Sequence, residues 1–97
     1  MFNNASIALP EKRERHDDML GSSGYIVIVY DNDKNTFDQV IEILQKATAC
    51  TREEAEMETW EVNELGKSVV HHGGEAECQR VASIIATIGI RVEVVED

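Results

Sequence analysis

Tyr25-Ile26-Val27-Ile28-Val29-Tyr30-Asp31-Asn32-Asp33-Lys34-Asn35-Thr36-Phe37 decides how the chain is read. Six consecutive β-branched or aromatic residues suit a short strand buried on both faces, or nearly so. The run stops at Asp31 to Asn35, whose short polar side chains bond back to local backbone and favour a turn. Thr36 and Gln39 then stand at capping-box spacing, so a helix starts there. Phe37, Val40, Ile41, Leu44 and Thr48 recur at helical spacing and predict one mainly apolar stripe against a core. A strand passing through a five-residue turn into a helix predicts a mixed α and β domain.

The chain downstream repeats this grammar. Thr51 and Glu54 form a second capping box, and Glu53 and Glu54 sit at the positive end of the helix dipole. This second helix carries Ala55, Thr59 and Val62 on one side, Trp60 on a neighbouring face, and ends before Gly66. Lys67 to His72 reads as a strand, broken by Gly73-Gly74. A third helix from about Glu75 places Cys78, Val81, Ala82, Ile85 and Ile88 on one face, with Gly89 suited to its C-terminal cap. Ile90, Val92 and Val94 alternate with Arg91, Glu93 and Val95, as a half-exposed strand should. The predicted order is β-α-α-β-α-β, an α+β two-layer sandwich with a three-stranded sheet and the helices on one face. Residues 1–23 show no apolar periodicity and run into the Gly21-Ser22-Ser23-Gly24 linker, so the sequence predicts a disordered arm over 1–23 ahead of a core over 24–97.

Ninety-seven residues suffice for one domain. The apolar fraction of 42% is ordinary for a globular chain. No run reaches the roughly 18 apolar residues that read as a membrane span, and the N-terminus lacks a secretory pattern. A soluble, cytoplasmic monomer is the expectation. A net charge of −10, with nine basic residues scattered among nineteen acids, argues against nucleic-acid binding. Cys50 and Cys78 have no metal or redox spacing and read as small buried hydrophobes.

Little in the sequence suggests catalysis. His71 and His72 are adjacent, point to opposite faces of a strand and cannot jointly chelate a metal. The acids of the second helix read as a solvated face rather than paired catalytic carboxylates. No metal, cofactor or enzymatic activity is expected. Asp31-Asn32-Asp33 has two readings: a turn that only connects and caps, or a set of acceptors suited to a positively charged amine.

The strand and turn from Tyr25 to Asp33, then Thr36-Phe37 and Val40-Ile41, then Gly66-Lys67-Ser68-Val69-Val70, resemble the Clp protease adaptor family, ClpS. The resemblance covers about residues 24–97. It implies an adaptor that binds protein N-termini (N-degron-type substrates) and delivers them to a Clp-type AAA+ unfoldase, ClpA- or ClpC-like, with the N-terminal arm taking part. Matched by position, Asp31, Asn32 and Asn63 would hold the ligand's α-amino group, and Phe37, Thr59 and Val62 would line an apolar pocket. Glu75 and Arg80 match the family's unfoldase-facing Glu and Lys if the loop at Gly73-Gly74 is one residue shorter.

The pattern departs from the family in four places. The acid and amide of the turn are exchanged, Asn63 replaces a His, and Phe37 and Thr59 replace Met. These changes imply an altered or lost preference for the first residue of the ligand. The segment from Glu75 to Glu96 is also similar to the C-terminal domain of the ribosomal stalk protein, whose related fold would imply a module that recruits translation factors.

Overall fold

The computed structural model of the protein describes residues 24–97. The expected arm over 1–23 lies outside the described residues. The elements are β1 (Tyr25–Tyr30), α1 (Phe37–Thr48), α2 (Arg52–Leu65), β2 (Lys67–Gly73), α3 (Glu75–Ala86) and β3 (Val92–Glu96). Their β-α-α-β-α-β order is the one read from the sequence.

β1 is the central strand of a three-stranded sheet ordered β2-β1-β3, antiparallel to both neighbours. Being central explains its β-branched run, because both edges of its backbone are hydrogen-bonded. Its two faces differ, however. Val27 and Val29 are wholly buried, whereas Ile26, Ile28 and Tyr30 on the other face are only half-buried. The sheet is thus covered by helices on one side, not two, which corrects the expectation of a strand buried on both faces.

α2 packs on β2, α3 crosses under the three strands, and α1 rests on α2 and α3. Leu44, Ile85, Val27, Val29, Val81 and Cys78 form the fully buried centre. Burying one such side chain contributes roughly 1.5–3 kcal/mol relative to leaving it in water.

Helix termini follow the expected local chemistry. Thr36 Oγ1 accepts from the Gln39 amide at 3.1 Å while Gln39 Oε1 accepts from the Thr36 amide at 3.0 Å. Thr51 and Glu54 close the same reciprocal pair. α2 ends at Gly66, whose φ of 92° suits a residue without Cβ. α1 ends instead at Ala49, left-handed at φ 60°.

Three details differ from the sequence reading. Phe37, expected on the core stripe of α1, is 46% exposed, while Ile43 and Ala47 are buried in addition to Val40, Ile41 and Leu44. α3 stops at Ala86, so Ile88 packs on the core from a turn, and β3 begins at Val92 rather than Ile90. β2 contains a bulge: Val27 pairs with His71 and Ile28 with Val69, leaving Val70 as the extra residue. Burial alternates regularly from Lys67 to Val70, with Ser68 and Val70 buried, and beyond Val70 His71 is more buried than His72.

Candidate functional site

The turn after β1 is held to the rest of the fold at two points. The Asp31 amide donates to the Gly66 carbonyl at 2.9 Å, which brings the turn to the C-terminal end of α2. The Asn35 side chain donates from Nδ2 to the Ile88 carbonyl at 2.9 Å and to Gln39 Oε1 at 3.2 Å. Between these anchors Asn32 bonds through both ends of its side-chain amide. Its Oδ1 accepts from the Lys34 and Asn35 amides, and its Nδ2 donates to Asn35 Oδ1 at 2.8 Å. The turn-forming reading therefore applies to Asn32, while Asp31 and Asp33 remain exposed.

Asn63 lies three residues before Gly66, on the same end of α2 that receives Asp31. It is exposed and donates to Glu64 Oε2 at 3.3 Å. No basic residue stands in the last turn of α2, and the nearest cation in sequence is Lys67, just past the Gly66 cap, whose Nζ lies 6.0 Å from the Tyr30 ring. Asp31, Asn63 and Glu64 are all exposed, and Asp31 and Glu64 bring negative charge to this part of the fold.

The residues expected to line a pocket separate by depth. Thr59 and Val62 are both 3% exposed and belong to the packed face of α2. The Thr59 hydroxyl, which would be costly to bury unpaired, donates to the Ala55 carbonyl at 2.7 Å. Phe37, the first residue of α1, stands in solvent instead.

Glu75 and Arg80 are both exposed on α3, but five residues of helix turn them about 140° apart. Glu75 also has a second neighbour. Its negative charge beside Tyr25, with burial and the charge of Glu96, raises the pKa of the phenol. His71 Nε2 lies 3.1 Å from Glu77 Oε2, tying β2 to the first turn of α3.

Two features escaped sequence reasoning. Tyr30 donates from its hydroxyl to Glu93 Oε1 at 2.8 Å, Arg91 donates to Glu93 Oε2 at 2.7 Å, and the Arg91 guanidinium stacks 4.3 Å from the Tyr30 ring. The Arg91 bond, then that of Tyr30, holds the Glu93 carboxyl below its usual range. Strand alternation marks these residues as outward-facing, but only the register β1·β3 brings them together. The second feature is Glu58 on α2. Burial first, then the charges of Glu54 and Glu61, push its carboxyl up to about 8, and its Oε1 is enclosed without a hydrogen-bond partner. Six glutamates on one helix were the available signal.

Among the described residues, no group of three or more His, Cys, Asp or Glu is placed to hold a metal ion, and no helix is long and apolar enough to cross a membrane. The described core is a small α+β domain, a three-stranded antiparallel sheet carrying three helices. Residues 21–91 match the family model described as ATP-dependent Clp protease adaptor protein ClpS, and the chain belongs to that family. Among solved structures it is similar to Agrobacterium tumefaciens ClpS2 bound to L-phenylalaninamide. The TM-score is 0.73 at 12% identity, over 77% of this chain and 98% of that one. No curated protein sequence matches.

Proposed function

We propose that this protein is an adaptor that captures the free N-terminus of substrate proteins and delivers them to a Clp-type AAA+ unfoldase. The observation that supports this reading is the backbone bond from Asp31 to Gly66, which joins the turn carrying the exposed Asp31 to the C-terminal end of α2, three residues past Asn63. An α-ammonium placed there gains a charge-assisted bond from Asp31 and the helix-end field. Asn32 contributes by shaping the turn, since its own amide is already committed. Phe37, exposed at the start of α1, offers an apolar surface to the ligand's first side chain, whereas Thr59 and Val62 are buried. The similar Agrobacterium protein holds L-phenylalaninamide, a free amine next to an aromatic side chain. Glu75 and Arg80, both exposed on α3, supply charges for docking to the unfoldase.

Titration calorimetry with peptides that differ only in the first residue, each with an N-acetylated control, tests the reading. Binding confined to the free amines is expected. No heat from any free-amine peptide at millimolar concentration would overturn it.

A further inference from the structure

α2 carries six glutamates against a single cation, Arg52. On its solvent side stand two large apolar side chains, Met57 at 67% and Trp60 at 52% exposed. Isolated apolar residues on a surface are ordinary, but these two lie three residues apart, which makes them neighbours on the helix. Trp60 is in turn three residues from Asn63, so the apolar pair continues directly from the helix end proposed to hold the amine. Glu56 and Glu64 flank the indole at i−4 and i+4. A cation already sits at the far end of this surface, where Arg52 Nε donates to Glu56 Oε2 at 3.0 Å.

We propose that Trp60 and Met57 form a downstream subsite that takes a Lys or Arg side chain at the third or fourth position of the bound N-terminal peptide. This rests on the amine site described above. From Asn63 back to Met57 the helix rises about 9 Å and turns about 120°, a path that roughly three to four extended peptide residues can follow. An indole face attracts an ammonium or guanidinium through its quadrupole. Glu56 and Glu64 on either side add charge complementarity and repel an acidic residue at the same place.

Trp60 is the only tryptophan of the chain, so its emission reports on the subsite directly. The full chain is titrated with the amides of Leu, Phe and Met, then with tetrapeptide amides that begin with the tightest of these and carry Arg or Glu at both positions three and four. The Arg peptide should bind about tenfold more tightly than the Glu peptide and shift Trp60 emission, whereas the amino-acid amide should leave emission nearly unchanged. By calorimetry, Trp60→Ala should bring the two peptides to equal affinity without changing that of the amide, and Trp60→Phe should restore most of the preference. Equal binding of the Arg and Glu peptides by the native chain would overturn the subsite and leave the amine site standing. So would an equal loss for amide and peptide in Trp60→Ala. Failure of all three amides to bind would remove the amine site itself, and the subsite with it.

Discussion

The backbone amide of Asp31 donates to the carbonyl of Gly66 at 2.9 Å, joining residues thirty-five positions apart. β1 and α2 reach this point from different directions, and the bond makes the exit of one meet the end of the other. Because it uses only backbone atoms, it survives replacement of the Asp31 side chain. The charge at this site can therefore be removed without dismantling the geometry.

Asp31→Ala should lower affinity for a free-amine peptide roughly ten- to a hundredfold, the loss of a charge-assisted bond of about 1.5–3 kcal/mol. Acetylating the peptide should have a similar effect, and the two changes together should add little, since both delete one interaction. Calorimetry on the four combinations provides the cycle. Full additivity would show that Asp31 and the amine do not meet.

Ala49 closes α1 at φ 60°, a conformation that costs a residue with Cβ roughly 1–2 kcal/mol. Ala49→Gly should therefore stabilise the fold by up to about 1 kcal/mol, the usual glycine advantage at a left-handed cap. A higher denaturation midpoint with an unchanged slope is the expected signature. A fall in the midpoint would place the unfolded-state entropy of glycine above the relief of strain.

Glu58 should make stability fall as pH rises. Its carboxyl is raised from 4.5 to about 8 in the fold, so between these values the folded state binds the proton that the unfolded chain releases. Its contribution is fully present below about pH 4.5 and is lost as pH rises through about 8. The slope approaches about 1.4 kcal/mol per pH unit while the group stays protonated in the fold. Glu58→Gln should flatten the decline between pH 5.5 and 7.5 in urea titrations, and should be more stable than the native chain at the upper end. An unaltered slope would mean that Glu58 ionises freely.

Arg80→Ala should weaken capture of a Clp-type unfoldase and leave the denaturation midpoint nearly unchanged, because an exposed charge contributes little to folding. Glu75→Ala should weaken capture too and also return the Tyr25 phenol toward its ordinary pKa, since Glu75 is the first cause of its rise. Undiminished capture by the double variant would exclude this surface from docking. Capture of ribosomal GTPases would favour the stalk-like alternative.

Much of the fold was legible in the sequence because it rests on contacts within four residues. Thr36 with Gln39 and Thr51 with Glu54 each complete a hydrogen-bonded box inside one turn of helix. Gly66 permits the positive φ that ends α2, and the spacing of Ala55, Thr59 and Val62 fixes which side of that helix is buried. The candidate site was legible as residue types in a familiar order, but their duties were not. Asp31 and Asn32 are adjacent polar residues of one turn, yet the Asn32 side chain is bound within that turn while Asp31 is exposed.

The sequence alone thus determined element identity, the capped starts of α1 and α2 and the buried stripes of α2 and α3, because capping and periodicity act locally. Only the tertiary structure decided that Phe37 leaves the core, that Val70 bulges out of register, and that Tyr30 meets Glu93. Those outcomes depend on how strands align and which faces the helices cover. Such alignment is set by packing between segments far apart in the chain, where many local arrangements compete and the best-buried one prevails.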